Sequence, residues 1–153
     1  MASVVSSPLL ARSRLIRNVQ SQKMDHTRPQ VETIIPVIPV RNLPKSLAFY
    51  TEILGFRRDW GGDEGDGSCS VSRDQHCLML REQETGGTPS WIWIGLEDDT
   101  LFEEYRSKGV TVSQEPQNHP WAYEMKFEDL DGNVLWLGTE PRLDQPFHQE
   151  GTV

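Results

Sequence analysis

Residues 34–56, IIPVIPVRNLPKSLAFYTEILGF, contain the local signals that decide the fold. The first seven are β-branched or proline, which predicts a strand. Because proline cannot donate to a ladder, we expect that strand at a sheet edge or a subunit junction. Asn42 precedes apolar residues of helical spacing, so it should cap a helix with Pro44 in its first turn and Gly55 at its end. This stretch therefore predicts a strand followed by a helix.

The residues that follow predict three more strands. Residues 56–60 favour a strand, and residues 61–67 form an acidic, glycine-rich loop. Residues 68–73 and 76–81 favour two further strands, and residues 82–90 resemble a Gly/Pro linker. The first half of the chain is therefore predicted to have the order β-α-β-β-β.

The second half repeats this order. Strands are predicted at residues 91–96, 110–112, 123–128 and 134–137. The intervening helix should be capped by Asp98 or Asp99 and should end at Gly109. The sequence Asp131-Gly132-Asn133 predicts a tight turn before the last strand.

A shift of 54 residues aligns the two halves. It superimposes Gly55 on Gly109, and Val71 on Met125. Neither half can bury its sheet alone, so the two halves should pair around a shared cleft. The predicted fold class is α+β, built from two βαβββ modules.

Charge is unevenly distributed along the 153 residues, whose formal charge is −8. Residues 1–30 contain five basic residues and one acidic residue, whereas the remainder contains 10 basic and 22 acidic residues. An acidic domain repels phosphate backbones, so we expect no nucleic-acid partner, and the same field favours a cationic ligand. No apolar run approaches the ~20 residues of a membrane-spanning helix, so no membrane partner is expected.

The two ends of the chain are expected to lie outside the domain. Residues 1–23 lack acidic side chains and contain spaced arginines and serines, which resembles an organelle transit peptide. Alternatively, Met24 is the true start, and the two readings stay open. We expect a cytoplasmic protein, or a mitochondrial or other organellar one if the leader is a transit peptide. The domain should span residues 31–141, with a C-terminal tail at 142–153.

Several motifs occur in a fixed order across both halves. They are PVIPVRN at 36–42, FYTE at 49–52, LGF at 54–56, WIWI at 91–94, Pro120-Trp121, Glu124, Asp129 and Asp131-Gly132-Asn133. Together they resemble the bleomycin-resistance proteins of the glyoxalase/bleomycin-resistance/dioxygenase (vicinal-oxygen-chelate) superfamily. The resemblance implies a glyoxalase-like domain and a homodimer, with the first strand crossing to the other subunit near Pro36.

The same resemblance implies where a metal would be held. Metal-dependent relatives bind a divalent ion with His, Gln and Glu side chains, and the matching positions are Ile35, Ser90 or Trp91, residues 78–80 and Trp136. None of these side chains is a plausible metal ligand. The four histidines share no metal-binding spacing, and the two cysteines are expected to be ordinary thiols. We therefore expect no metal, no cofactor and no catalytic residue.

The tryptophans divide into two groups. Trp60, Trp91 and Trp121 lie at strand ends or in loops, where an exposed indole suggests ligand contact, whereas Trp93 and Trp136 favour core packing. In the family, the positions of Asp59-Trp60, Trp91 and Pro120-Trp121 line the drug cleft. The expected ligand-binding residues are Asp59, Trp60, Trp91, Trp121, Tyr123 and Glu124.

These residues favour a metal-free protein that sequesters a bleomycin-type glycopeptide, or a similar aromatic and cationic metabolite, without breaking a bond. The alternative is a metal-dependent enzyme of the same superfamily, a lyase, isomerase or dioxygenase with a displaced metal site. A protein-interaction or stress module in an organelle is a third hypothesis.

Overall fold

The computed structural model describes residues 30–85 and 87–149 of the chain. The predicted leader, apart from Gln30, and the last four residues of the predicted tail lie outside the described residues. Within the described part, no helix has the length and apolar character needed to cross a membrane.

The first module has the predicted order of elements. They are β1 (Val37–Val40), α1 (Leu43–Ala48, continued by one π-helical turn at Phe49–Ile53), β2 (Arg57–Gly61), β3 (Ser68–Arg73) and β4 (His76–Glu82). The strand order in the sheet is β1-β4-β3-β2. Strand β1 runs parallel to β4, and the other neighbours are antiparallel.

The prolines of the first strand act as expected. β1 lies at the edge of its sheet, which confirms the prediction. It begins at Val37 rather than at residue 34, directly after Pro36, whose carbonyl accepts a hydrogen bond from the Met79 N–H at 2.9 Å. Pro39 lies within β1, where a missing N–H is tolerated because only one side of an edge strand is paired. The exchange of this strand between subunits stays a prediction.

The predicted ends of the first helix are confirmed. The Asn42 Oδ1 accepts a hydrogen bond from the Lys45 N–H at 2.9 Å, and Pro44 lies in the first turn. Gly55, just beyond the helical segment, has a φ of +74°, a conformation that costs glycine little. The chain can therefore reverse here and enter β2.

The second module repeats the first. Its elements are β5 (Trp91–Gly95), α2 (Thr100–Ser107), β6 (Thr111–Asn118), β7 (Tyr123–Glu128) and β8 (Val134–Thr139). The strand order is β5-β8-β7-β6, and the predicted pair of βαβββ modules is confirmed. Of the two possible caps, Asp99 occupies the N-cap position without a side-chain capping hydrogen bond, whereas the Asp98 Oδ1 accepts the N–H of Thr100, the first helical residue, at 3.0 Å.

Strand β6 is longer than predicted. The expected strand ended at residue 112, whereas β6 extends to Asn118 and includes Pro116. Its residues are mostly polar, so the alternation of apolar and polar residues that is typical of a strand is missing. Its pairing with β7 is also irregular on both sides of Gln114. Cross-strand pairing with β7, rather than local propensity, therefore extends this element.

Both modules contribute to one hydrophobic core. Its largest fully buried side chains are Tyr50, Tyr105, Phe127, Ile38, Leu43, Leu54, Leu80, Met125, Leu135 and Leu137. Hydrogen bonds connect the modules within this core: the Tyr50 hydroxyl donates to Asp129 Oδ2 at 3.0 Å, and the Tyr105 hydroxyl donates to the Leu54 carbonyl at 3.1 Å. Both sheets thus pack one face against this shared core.

Candidate functional site

The second sheet carries tryptophans on the face that points away from the core. Side chains alternate along a strand, so Trp91 and Trp93 of β5 project opposite to the buried Ile92 between them. Trp136 of β8 lies on the same face, and its ring contacts those of Trp91 and Trp93 edge to face at 5.8 Å and 5.2 Å. We call this side of the sheet the aromatic face, formed by Trp91, Trp93, Trp136, Lys126 and Glu124.

The prediction that Trp93 packs in the core is wrong. Its side chain is 50% exposed, because strand alternation places it with Trp91 rather than with Ile92. Trp136 is half-buried on the aromatic face and does not belong to the core either. An apolar pattern in β5 could not reveal this, since the strand is apolar on both sides.

A glycine makes room for the Trp93 indole. The Cβ of any larger residue at Gly138 would overlap Trp93 Cη2, whereas a Cβ at Gly95, its partner on β5, would lie in ordinary contact 3.7 Å from Trp93 Nε1. We therefore expect Gly138→Ala to displace the Trp93 ring and to destabilise the protein by about 1–3 kcal/mol. Gly95→Ala is the matched control and should be nearly neutral. Urea unfolding followed by tryptophan fluorescence checks both, and equal effects would contradict the assigned contact.

The ammonium group of Lys126 lies against the indole rings of the aromatic face. The Nζ lies 4.3 Å from the centre of the Trp136 ring and 5.3 Å from that of Trp91. It donates a hydrogen bond to Gln114 Oε1 at 2.7 Å and lies 3.8 Å from Glu124 Oε1. Sequence reasoning missed Lys126, although the predicted alternation of β7 places it on the same side as Glu124.

Glu124 is the most buried charged group of the aromatic face. Its side chain is 3% exposed, and its Oε1 accepts a hydrogen bond from Gln114 Nε2 at 3.3 Å. The Oε2 atom is buried and has no hydrogen-bond partner among the described residues. A carboxylate oxygen left in this state is costly, so it marks a position where a donor is expected to bind.

The Trp121 ring stacks on a histidine ring at one end of the aromatic face. The Trp121 side chain is 62% exposed, and its ring stacks on His119 with the centres 4.6 Å apart. His119 is buried, and its Nε2 lies 3.6 Å from Glu124 Oε1. This stack connects Trp121 to Glu124, so the structure brings two of the predicted residues to one end of the face.

The C-terminal residues also reach this end of the sheet. His148 contacts the His119 ring edge to face at 5.4 Å, and its N–H donates to the Asn118 carbonyl at 2.6 Å. The Asn118 side chain also donates to the carbonyl of Arg142 at 2.8 Å. His119 and His148 are far apart in sequence, and no local pattern could have paired them.

Tyr123 lies on the other side of β7. Its ring packs against Phe102 with centres 5.6 Å apart, and the Arg142 guanidinium lies 4.3 Å from it. Tyr123 precedes Glu124 directly, so alternation directs it towards the core. Its predicted contact with a ligand stays a prediction.

Asp59 and Trp60 belong to the first sheet. The Asp59 carboxylate accepts hydrogen bonds from Ser72 Oγ at 2.7 Å, from Ser70 Oγ at 3.2 Å and from Arg57 at 3.2 Å. The Ser72 hydrogen bond, more than the others, lowers the pKa of Asp59. No hydrogen bond, ion pair or aromatic contact between described residues joins Asp59 or Trp60 to the aromatic face. Within one chain, these two predicted residues are therefore separate from the others.

The positions of a superfamily metal site do not fit a metal here. Trp91 and Trp136 occupy two of those positions, and both indoles face the Lys126 ammonium, a resident positive charge. Across the described ranges, no group of three or more His, Cys, Asp or Glu side chains could hold a metal ion. The donors that a hard or borderline ion requires do not converge at this place.

The fold and the aromatic face together define a class: an α+β protein of two repeated βαβββ modules, with aromatic and polar groups on a sheet face outside the core. The chain belongs to the Glyoxalase/Bleomycin resistance protein/Dioxygenase superfamily, whose family model matches residues 23–137. The resemblance inferred from the motifs is thereby confirmed at the level of the superfamily, while the bleomycin-resistance branch stays a prediction. A search of curated proteins finds no significant match.

Several solved structures share the fold of this chain. An antibiotic-binding protein from a Streptomyces species is 24% identical with a TM-score of 0.59, covering 74% of this chain and 99% of that one. The bleomycin-binding protein of Streptomyces verticillus, in complex with copper(II)-bleomycin, is 21% identical with a TM-score of 0.59, covering 75% and 100%. A lactoylglutathione lyase from Agrobacterium tumefaciens is 15% identical with a TM-score of 0.55, covering 72% and 96%. Binding proteins and an enzyme are thus both similar to this chain.

Proposed function

We propose that this protein binds and sequesters a bleomycin-type antibiotic or a similar aromatic, cationic small molecule, without metal and without catalysis. One observation carries the proposal: Trp91, Trp93 and Trp121 expose half or more of their side chains on or beside the aromatic face. Exposed indoles in one patch are unusual on a monomeric surface and favour a binding role. The antibiotic ligands of two solved relatives support the same class of ligand.

The dimensions of the aromatic face suit an extended ligand. Trp91 is in register with Val134 and Glu128, whereas Glu124 lies four residues further along β7. Four residues of strand correspond to about 13 Å of backbone, although the Trp91 ring and the Glu124 carboxylate both approach Lys126 Nζ, at 5.3 Å and 3.8 Å. A ligand with several flat rings would stack along the indoles, and each stack would contribute roughly 0.5–1.5 kcal/mol beyond the burial of apolar area.

A homodimer would complete the site. The first sheet also leaves apolar side chains uncovered, since Val37 and Trp60 are each 50% exposed. We propose that two copies pair with the first sheet of one facing the second sheet of the other. Asp59 and Trp60 would then lie across the cleft from the aromatic face, and Asp59 would attract a cationic group of the ligand. Sedimentation equilibrium tests this arrangement, and a monomer at micromolar concentration would overturn it.

Tryptophan fluorescence tests the main proposal directly. Titration with metal-free bleomycin should quench the fluorescence saturably, and added chelator should leave the titration curve unchanged. The expected dissociation constant is micromolar or lower, because several stacked rings and a buried carboxylate contribute together. Absence of saturable quenching up to millimolar bleomycin would refute sequestration of this ligand class.

The buried His119 and Glu124 favour an enzyme as the second candidate. Their ring nitrogen and carboxylate oxygen are 3.6 Å apart, and the same ring nitrogen lies 3.2 Å from Gln117 Oε1, so a small rotation of the ring towards Glu124 would bring the pair within reach of proton transfer. The lactoylglutathione lyase among the solved relatives indicates the reaction to assay first. Turnover of the glutathione hemithioacetal of methylglyoxal with added nickel, zinc or manganese, and its loss in His119→Gln, would support this candidate over sequestration.

A further inference from the structure

The ammonium group of Lys126 lies in a complete cation-binding environment. Two indole rings, Trp136 and Trp91, lie within 4.3 Å and 5.3 Å of its Nζ, on which their faces exert an electrostatic attraction. The amide oxygen of Gln114 accepts its hydrogen bond at 2.7 Å, and the Glu124 carboxylate lies 3.8 Å away. We call these four side chains, Trp91, Trp136, Gln114 and Glu124, the cation cage.

The cation cage offers a hydrogen-bond acceptor that Lys126 does not use. Glu124 Oε1 accepts the hydrogen bond of Gln114 Nε2 and lies 3.8 Å from Lys126 Nζ and 3.6 Å from His119 Nε2, whereas the buried Oε2 has no partner among the described residues. An ammonium carries three donors, and one of them is satisfied by Gln114. Any cation that approached Glu124 more closely would gain electrostatic attraction from the carboxylate and the indole faces, and a cation with N–H groups would also donate a hydrogen bond to Oε2.

Lys126 can leave the cage without unfolding the sheet. Its long side chain reaches the indoles from β7, and 16% of it is exposed, so a rotation about its side-chain bonds would bring the ammonium into water. Trp91, which forms one wall of the cage, is 63% exposed. The cage is therefore reached from solvent across Trp91.

We propose that the cation cage is the subsite for a cationic group of the ligand, an organic ammonium or guanidinium, and that Lys126 occupies it until the ligand displaces it. This inference extends the proposed function and rests on it for the view that the natural ligand is cationic. Lys126 would then determine specificity. A neutral ligand would leave the Lys126 ammonium in the cage, whereas the cationic group of a ligand would replace it beside the Glu124 carboxylate. Charge balance in the cage is thus preserved on binding.

Tetramethylammonium is the probe that tests the cage without reference to any natural ligand, and tert-butanol is its neutral control of similar size. In Lys126→Ala the cage is empty, and we expect tetramethylammonium to bind at least tenfold more tightly than to the unsubstituted protein. Lys126→Met fills the same space with an uncharged chain and should not gain affinity. Adding Glu124→Gln to Lys126→Ala should remove most of the gain. Equal binding by the alanine and methionine variants would overturn the proposal.

A second measurement uses the unsubstituted protein, in case Lys126→Ala does not fold. Acetylation of Lys126, followed by mass spectrometry, should be several-fold faster in tetramethylammonium chloride than in sodium chloride at equal ionic strength, and tert-butanol should have no effect. An unchanged acetylation rate would overturn the displacement of Lys126.

The same measurements separate this inference from the proposed function. Bleomycin that binds tightly without altering Lys126 acetylation would overturn the cation subsite and leave sequestration intact. Tetramethylammonium that displaces Lys126 in a protein that does not bind bleomycin would support the cage and refute sequestration of that drug class.

Discussion

Replacing Asp129 by alanine is expected to lower the free energy of unfolding by about 3–4 kcal/mol. Asp129 is buried in the loop between β7 and β8. Its Oδ1 accepts the N–H groups of Asp131 and Asn133 at 2.9 Å and 2.8 Å. Its Oδ2 accepts the Asn133 side chain at 2.8 Å and the Tyr50 hydroxyl at 3.0 Å. The substitution would therefore leave four donors without their acceptor.

This effect reaches across the molecule, because Tyr50 belongs to the first module. Burial, and then the neighbouring Asp129 carboxylate, raise the pKa of Tyr50 well above its ordinary value, so the phenol remains a donor. Asn133 also donates from its side chain to the Pro39 carbonyl in β1 at 2.9 Å. The Asp129 loop thus holds the two modules together in addition to closing a hairpin.

A double-mutant cycle provides the control. Tyr50→Phe removes one of the four hydrogen bonds and should cost about 1–2 kcal/mol. Combined with Asp129→Ala, it should add little, because the shared hydrogen bond is already lost. Urea denaturation followed by circular dichroism measures all four proteins. Strict additivity, or a loss below 1 kcal/mol for Asp129→Ala, would contradict the assigned role of this loop.

The second large effect concerns binding. Under the proposed function, Trp121→Ala and Trp91→Ala should each weaken bleomycin binding about thirtyfold, corresponding to roughly 2 kcal/mol for the loss of a central aromatic contact. The Trp121 ring stacks on the His119 ring, and the Trp91 ring contacts the Trp136 ring edge to face. These contacts restrict the orientation of both indoles, so less conformational freedom is lost when a ligand stacks on them. Isothermal titration calorimetry is the suitable measurement, since removing a tryptophan also removes fluorescence.

Two further variants make this result decisive. Leu130→Ala is the matched control, because Leu130 is an exposed apolar residue of the β7–β8 loop and should leave the affinity unchanged. Trp60→Ala should weaken binding as well if two copies build the cleft, although Trp60 lies in the first sheet. Affinity within twofold of the original for both Trp121→Ala and Trp91→Ala would refute stacking as the binding mode.

The helices and their ends could be predicted from sequence because their signals are local. Asn42 and Asp98 offer side-chain oxygens to backbone N–H groups within three residues, and Gly55 and Gly109 adopt positive φ where the chain reverses. Such capping depends on a few neighbouring residues, so it needs no knowledge of the tertiary structure. The repeat of these signals at 54 residues also predicted the two modules.

The candidate site was predicted only in part, for a different reason. Trp91 and Trp121 are candidates from the sequence because each lies at the edge of an element, where an indole is seldom needed for packing, and their contact with a ligand stays a prediction. Trp93 was assigned to the core, because a strand that is apolar on both sides does not reveal which side is buried. Lys126 was missed, since a single lysine in a strand has no distinctive pattern until its neighbours are known.

The sequence by itself determined the α+β class, the order of the elements and the membership of the superfamily, and it limited β1 to a sheet edge or a subunit junction. These follow from side-chain spacing, backbone restrictions and ordered motifs, which are properties of neighbouring residues. Only the tertiary structure decided that Glu124 Oε2 is buried without a partner in the described part of the chain, that Lys126 lies against two indoles, and that His148 contacts His119. The physical reason is that burial and charge pairing depend on residues brought together from distant strands, and their energies exist only once the sheet has formed.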